Sequence, residues 1–472
     1  MGRVVVIGAG LAGLSAADRL VSVGLEVTVL EAADRVGGRA RTRRRSFADG
    51  QHGEGGAEFV GANHREVLAL ASRFHLPLDD ASHDGASHDG VSGAGRGSVG
   101  RGGGGRHGTD PELSDVLIDA AGRAVPFSEL DRESHGRLSR ELAGWRARLD
   151  ELADSLDPDD PPSTPHAHLM DLRSAADLVA EVPLSAISRL VIGRQLRTEF
   201  MAPPGRISLL HLAWMHQLER EAGLAAPDQR RSIEAWRVHG GTDLLATSLA
   251  NELGGRVLVG CQVVSVTSGL SGASVALQTG DTIAADVVII TVPMPVLARI
   301  DLDPALPPGI FDISYGRGGK VSRQYDRRLW RDTGSCGAVL SDRAYGELWE
   351  TSTTHPSPRG VLTALLSSDD GAALLAMPDV AAHIEREVER VFPGAAGFAG
   401  SCATTDWSND PLSLGTYAAF EPGQLTRVWP LLRRPHGRVL LAGEHTDVFA
   451  GFLEGAIRSG HRAADRAALM TT

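Results

Sequence analysis

Cysteine, long apolar runs and positive charge are all scarce in this 472-residue chain. Its three cysteines, Cys261, Cys336 and Cys402, are far apart, which excludes a disulfide framework and a cysteine-rich metal site. No basic leader followed by an apolar run opens the chain, and no segment reaches the roughly 20 apolar residues of a membrane span. We therefore expect a soluble, cytoplasmic protein with reduced thiols, no bound metal and no membrane contact.

The charge balance excludes a further class of partner. Lysine and arginine number 47 against 59 aspartate and glutamate residues, a formal net charge of -12. This balance disfavours nucleic acid as a partner. Apolar residues make up 42% of the chain, as in ordinary globular proteins, and the length exceeds that of one hydrophobic core. We expect two domains, and the sequence leaves open whether the protein forms a homodimer.

The segment 79–110 differs from the rest of the chain. It carries Ser82-His-Asp-Gly, a second copy at Ser87-His-Asp-Gly90, and a tract of glycine and arginine. Such a composition cannot bury a core, so we predict a mobile, low-complexity surface loop.

Periodicity divides the remainder into helical and strand-rich parts. Apolar residues recur at intervals of three and four over 129–156 and 175–217, which predicts helices. Strand patterns appear at 256–259, 263–266, 274–278, 287–292 and 439–442, and a last helix is predicted from Leu453.

The N-terminus predicts a βαβ unit. A short apolar strand, Arg3 to Val6, leads into Gly8-Ala-Gly-Leu-Ala-Gly13, then a helix, then a strand that ends at Glu31. Backbone amides of such a turn hold a pyrophosphate, and a carboxylate at the second strand end accepts hydrogen bonds from ribose hydroxyls. We predict a Rossmann-like dinucleotide site with contacts from Gly8, Gly10, Ala12, Gly13 and Glu31.

Four further motifs follow in order. They are Arg35-Val-Gly-Gly-Arg39, Glu54-Gly-Gly-Ala-Glu-Phe-Val-Gly61, Leu440–Thr446 and Gly451–Gly460. Together with the glycine turn, these segments resemble those of the flavin-containing amine oxidase family, and they bracket nearly the whole chain. The resemblance implies FAD as the cofactor and an α/β, two-domain amine oxidase fold, in which a Rossmann-like FAD-binding domain carries an inserted α+β substrate domain.

We assign 1–78, 235–295 and 402–472 to the FAD-binding domain, and 79–234 and 296–401 to the substrate-binding domain. The family's motifs also imply cofactor contacts from Gly38, Arg39, Gly56, Ala57, Val263, Trp407, Gly443, Glu444 and Leu453. At Leu453 a helix N-terminus would direct positive dipole charge to the flavin pyrimidine edge. Some members attach FAD through a cysteine where this chain has Thr416, so we expect non-covalent FAD.

The resemblance also implies the substrate site. Tyr417 and Phe452 match an aromatic pair that flanks the substrate amine. Lys320, the only lysine of the chain, matches a lysine that hydrogen-bonds a water at flavin N5. Glu58 stands where the family's amino-acid oxidases usually have an arginine for the substrate carboxylate, which disfavours α-amino acids. Three roles stay open for Glu58: binding a second cationic group, acting as a base, or forming a salt bridge to an arginine.

The implied reaction passes a hydride from the α-carbon of a neutral amine to flavin N5 and gives an imine, after which dioxygen reoxidises the flavin and yields hydrogen peroxide. Two alternatives stay open. One is an amide or tailored-amine oxidase of natural-product biosynthesis, and the other is a non-catalytic FAD-binding protein. No motif names the substrate.

Overall fold

A computed structural model describes residues 2–81, 116–225 and 234–471. Most of the predicted mobile loop, residues 82–110, lies outside these ranges. The described residues form strands β1 (Arg3–Ile7), β2 (Glu26–Leu30), β3 (Thr42–Arg43), β4 (Gly53–Glu54), β5 (Phe59–Val60), β6 (Leu78–Asp80), β7 (Leu117–Ala120), β8 (Arg123–Pro126), β9 (Trp236–Val238), β10 (Val257–Leu258), β11 (Val263–Ser268), β12 (Ala273–Leu277), β13 (Thr282–Ala285), β14 (Val287–Ile290), β15 (Asp301–Asp303), β16 (Gly318–Tyr325), β17 (Val339–Ser341), β18 (Glu347–Glu350), β19 (Gly360–Ser367), β20 (Ala399–Asp406) and β21 (Val439–Leu441).

Helices connect and cover these strands. In chain order they are α1 (Leu11–Ser22), α2 (Arg65–Arg73), α3 (Phe127–Glu133), α4 (Arg137–Ala153), α5 (Ala167–Asp171), α6 (Ala175–Glu181), α7 (Ala186–Phe200), α8 (Leu209–Ala225), α9 (Asp243–Leu253), α10 (Met294–Leu297), α11 (Ser368–Leu375), α12 (Val380–Val391), α13 (Leu425–Arg433) and α14 (Leu453–Met470). No helix in the described ranges is both long and apolar enough to span a membrane.

A five-stranded parallel sheet, in the order β10-β2-β1-β14-β21, forms the first layer. All residues of β14 and β21 are buried, as expected for a parallel sheet covered on both faces. Helix α1 packs against α14 and α9. The approach of α1 to α14 requires glycine at Gly460, where a Cβ would lie 2.3 Å from the Ala12 carbonyl oxygen. Strands β1 and β2 are parallel neighbours joined by α1, so the predicted βαβ unit is confirmed.

A seven-stranded sheet, in the order β20-β16-β19-β18-β17-β7-β8, forms the second layer. Its pairs are antiparallel apart from β17 with β7. Strand β16 lies between β19 and β20, so Lys320 pairs with Leu365 on one side and Thr405 on the other. Helices α4, α7 and α8 pack together beside this sheet.

Strand pairing bears on two of the domain boundaries, which remain predictions. Strand β15 lies beyond residue 295 but pairs with β11, and β20 spans residue 402 but pairs with β16. Because one hydrogen-bonded sheet usually belongs to one domain, we propose that these boundaries fall after β15 and after β20.

Candidate active site

A cavity of about 800 Å³ is lined by residues of both large sheets. This volume is within the range of small-molecule and cofactor sites. Each residue that the sequence proposed for catalysis or cofactor binding lines the cavity, except Gly13. The structure thus brings together residues from positions 8 to 453 of the chain.

The glycine turn between β1 and α1 lies at one end of the cavity. Gly13 packs on the turn itself, since a Cβ there would lie 1.9 Å from the Gly8 carbonyl oxygen. Gly10 has an ordinary φ of -73°, and its Cβ would meet no protein atom within 4 Å. Neither backbone conformation nor packing requires glycine at residue 10, whereas a ligand lying against the backbone would. The turn therefore fits the pyrophosphate of FAD.

Glu31 is held at the end of β2 by backbone amides. One carboxylate oxygen accepts from Ala9 N and the other from Ala33 N, both at 2.8 Å. Each oxygen keeps a second lone pair, and the side chain lines the cavity. This geometry suits the predicted hydrogen bonds to ribose hydroxyls.

An ion pair joins the N-terminal and C-terminal motifs. Arg39 lies 2.9 Å from the Glu444 carboxylate and also donates to the Thr416 carbonyl at 2.7 Å. Glu444 in turn accepts from Gly451 N at 2.8 Å, next to the N-terminus of α14. This ion pair therefore links the Arg35–Arg39 motif to the Leu440–Thr446 motif beside the cavity.

Trp407 also lines the cavity. Its indole N–H donates to the Gly55 carbonyl at 2.7 Å, and a Cβ on Gly56 would lie 3.0 Å from its ring. The double-glycine segment therefore lets the tryptophan lie against the backbone.

Tyr417 and Phe452 also line the cavity. The Tyr417 hydroxyl donates to the Glu199 carbonyl at 2.8 Å. Burial, followed by the nearby carboxylates of Glu199 and Glu234, raises the pKa of Tyr417 well above its usual value, so the phenol is neutral. Gly451, at φ 84°, has no side chain to displace the Tyr417 ring, which lies 3.3 Å from where its Cβ would be. The Tyr417 ring thus packs beside Gly451, the residue before the N-cap Phe452 of α14.

A buried ionic cluster surrounds Lys320. Its Nζ lies 2.6 Å from Glu58 Oε2, 3.0 Å from the Gly56 carbonyl oxygen and 5.0 Å from the centre of the Trp349 ring. The other oxygen, Glu58 Oε1, accepts from Arg237 Nε and from Trp349 Nε1, each at 2.9 Å. Two cations and one anion therefore lie together beside the cavity.

The cluster bears on the three roles left open for Glu58. Burial raises the pKa of this carboxyl, but the charges of Lys320 and Arg237 outweigh burial and lower it below its usual value. A general base would need the opposite direction. The salt bridge is the role whose geometry the structure contains.

Sequence reasoning missed Arg237 and Trp349, which hold Glu58. It also missed three carboxylates that line the cavity near Tyr417, namely Glu199, Glu234 and Glu347. No motif marks them. A buried glutamate requires a partner, but among so many arginines the sequence does not show which one.

The family model for flavin containing amine oxidoreductases matches residues 11–468. An L-amino acid dehydrogenase of Synechocystis sp. is 28% identical, with 98% of this chain and 93% of that protein covered. The putative flavin-containing monoamine oxidase AofH of Mycobacterium tuberculosis is 29% identical, with 99% and 96% covered.

Solved structures are similar over the same length. Putrescine oxidase bound to putrescine has a TM-score of 0.82 at 24% identity, and cyclohexylamine oxidase from Brevibacterium oxydans has a TM-score of 0.81 at 23% identity, each covering 99% of both chains. At this identity the likeness shows the fold, and it confirms the predicted α/β amine oxidase architecture. Because the family model spans nearly the whole sequence, the chain belongs to the flavin-containing amine oxidoreductase family and is an FAD-dependent oxidoreductase of amines.

Proposed function

We propose that this protein oxidises the C–N bond of a small amine without an α-carboxylate, giving an imine that hydrolyses after release. The observation that carries the proposal is the continuous cavity from the glycine turn to the Tyr417 and Phe452 pair. Bound FAD would supply the two-electron oxidant, taking up the hydride of the amine α-carbon, and dioxygen would then take up two electrons and two protons to give hydrogen peroxide.

The cofactor would extend along this cavity. The glycine turn would hold the pyrophosphate, and Glu31 the ribose. The helix α14 begins at Leu453 without a side-chain cap, so its first amides and its positive dipole remain available for the flavin. Trp407 and Lys320 would border the ring system.

The aromatic pair would orient the amine. Tyr417 is fixed by its hydrogen bond to the backbone of α7, so its ring position does not depend on a substrate. The carboxylates Glu199, Glu234 and Glu347 would attract an ammonium group toward the rings. Hydride transfer requires the neutral amine, so the ammonium would first give its proton to solvent water.

The pairing of the two cations at Glu58 supports a substrate without an α-carboxylate. Arg237 is 8% exposed, and its Nε donates to Glu58. Arg237 does not line the cavity, and the cavity-lining Lys320 is likewise paired with Glu58. An α-carboxylate would therefore compete with Glu58 for either cation. Relatives include both a monoamine oxidase and an amino acid dehydrogenase, so this distinction separates two activities of the family.

The test is reduction of the bound flavin under anaerobic conditions, followed by peroxide release in air. The panel contains alkyl and aryl monoamines, diamines of matched chain length, L-amino acids and amides. We expect amines to bleach the flavin and L-amino acids not to do so. Amides that bleach it would favour the natural-product alternative. A flavin that none of these compounds reduces would favour a non-catalytic role and refute the proposal.

A further inference from the structure

The ammonium of Lys320 has three N–H groups, and the structure gives partners to two of them. One donates to Glu58 Oε2 at 2.6 Å and one to the Gly56 carbonyl at 3.0 Å. Since a lysine ammonium has three donors, one N–H remains, and Lys320 lines the cavity. Because the ammonium nitrogen is tetrahedral, these two hydrogen bonds set the direction of the third N–H.

Two further hydrogen bonds hold the Glu58 side chain in place. Its second oxygen accepts from Arg237 Nε and Trp349 Nε1, both at 2.9 Å, and its side chain is 1% exposed. The Trp349 ring also lies 5.0 Å from the lysine Nζ, so this one side chain contacts both members of the ion pair. The carboxylate therefore has little freedom to turn away from Lys320.

We infer that Glu58 is a positioning residue that holds the Lys320 ammonium with its third N–H directed into the cavity, where it serves the reaction of the reduced cofactor with dioxygen. Arg237 and Trp349 support Glu58 in this task. The inference rests on the proposed placement of Lys320 beside the flavin. It gives Glu58 a role in the oxidative half-reaction and none in binding the amine.

The Lys320 ammonium is a positive charge that lines the cavity, and it shares the Glu58 carboxylate with Arg237. In a buried site such a charge favours the negative charge that develops as dioxygen accepts electrons. Glu58 thus holds the positive charge of Lys320 beside the cavity.

The first test uses the resting protein without substrate and does not depend on turnover. Lys320 is the only lysine of the chain, so labelling with 15Nζ-lysine gives a single ammonium signal by NMR. We expect this signal in the wild type, because a held and paired ammonium exchanges its protons slowly with water, and its loss in Glu58→Gln. Glu54→Gln is the matched control: Glu54 is a buried carboxylate of the same turn, but it accepts hydrogen bonds from Thr42 and Thr242 and not from Lys320. An unchanged lysine signal in Glu58→Gln would overturn the inference.

The second test separates the half-reactions by stopped flow. We expect Glu58→Gln to slow reoxidation by dioxygen about tenfold or more, the loss expected for one charge-assisted hydrogen bond, with amine-driven reduction within about twofold of wild type. Trp349→Phe removes one donor to Glu58 and keeps the ring, so its effect on reoxidation should be smaller.

A double variant decides whether Glu58 acts through Lys320. Glu58→Gln combined with Lys320→Met should reoxidise no more slowly than Lys320→Met alone, since residues that act as one unit are not additive. A further loss in the double variant would refute the positioning role. Wild-type reoxidation in Lys320→Met would instead refute the placement of the lysine at the flavin, while the NMR test would still report on Glu58.

If Glu58→Gln does not fold, the variant that combines Glu58→Gln with Arg237→Met removes one charge of each sign and so leaves the net charge of the cluster unchanged. The same loss of the lysine signal is expected there, and its retention would overturn the inference.

Discussion

Two alanine substitutions in the glycine turn should affect different properties of the protein. Gly10→Ala should leave the apoprotein folded but weaken FAD binding, and Gly13→Ala should destabilise the apoprotein. At residue 10 the backbone φ is -73° and a Cβ would meet nothing within 4 Å, so the protein itself accepts a methyl group. At residue 13 a Cβ would lie 1.9 Å from the Gly8 carbonyl oxygen and 2.9 Å from Thr291 Oγ1.

These distances indicate how large the changes in stability and in FAD affinity should be. Gly10 is the N-cap of α1, where alanine costs about 1 kcal/mol of stability relative to a good capping residue. The same methyl group would separate the cofactor from the helix amides, and losing one charged hydrogen bond costs about 1.5 to 3 kcal/mol, which is roughly a 10- to 100-fold rise in Kd. For Gly13→Ala the overlap is with backbone atoms, so we expect about 3 kcal/mol or more of lost stability, at the upper end of overpacking effects.

The assay combines urea unfolding of the apoproteins with FAD titration by quenching of flavin fluorescence. Gly10→Ala should unfold within about 1 kcal/mol of wild type and bind FAD at least about tenfold more weakly. Normal FAD affinity in Gly10→Ala would refute the assignment of the turn to the pyrophosphate. Wild-type stability in Gly13→Ala would show that the turn moves more easily than its geometry indicates.

The other predictions concern four residues. Lys320→Met should retain FAD and slow turnover at least about tenfold, measured by stopped-flow reduction and reoxidation. Glu31→Ala should weaken FAD binding by about 1 to 3 kcal/mol, and an unchanged Kd would move Glu31 away from the ribose. Because Thr416 offers no thiol, acid precipitation should release all the flavin, and a yellow pellet would contradict this. Burial raises the pKa of Glu54 from 4.5 to about 7, so this carboxyl stabilises the fold below pH 4.5 and loses that contribution as pH rises through 7. Between pH 5 and pH 8, wild type should therefore lose stability relative to Glu54→Gln, by an amount on the order of 3 kcal/mol in urea unfolding.

The dinucleotide-binding elements could be predicted because their signals are local. Strands predicted at 287–292 and 439–442 appear as β14 and β21, within two residues at each end. Both are short apolar runs that are buried on every residue, so a contiguous pattern is enough to find them. The glycine turn and the following helix are likewise encoded by adjacent residues.

The helical region was predicted only in outline. The helical stretch predicted over 129–156 contains two helices, α3 and α4, separated at Gly136, whose φ is 72°. The stretch over 175–217 contains α6, α7 and α8, and α7 ends before Pro203 and Pro204. Periodicity continued across these breaks because both neighbouring helices bury apolar faces.

The seven-stranded sheet could not be predicted from the sequence because its pairs are distant. Strand β7 pairs in parallel with β17, so Leu117 lies beside Val339. Nothing in either short strand specifies that partner, and the entropy of closing so long a loop is offset only by the complete core.

Partners that are distant in sequence also determine the site, which explains why the sequence left three roles open for Glu58. The motif predicted that a carboxylate would face the turn, but its role depends on Arg237 and Lys320, which come from β9 and β16. A lone buried carboxylate takes a proton and can serve as a base, whereas one between two cations stays charged and holds them in place. The local sequence is identical in both cases. A motif can therefore predict which chemical group enters a site, but only the strands that meet there determine whether that group reacts or positions another.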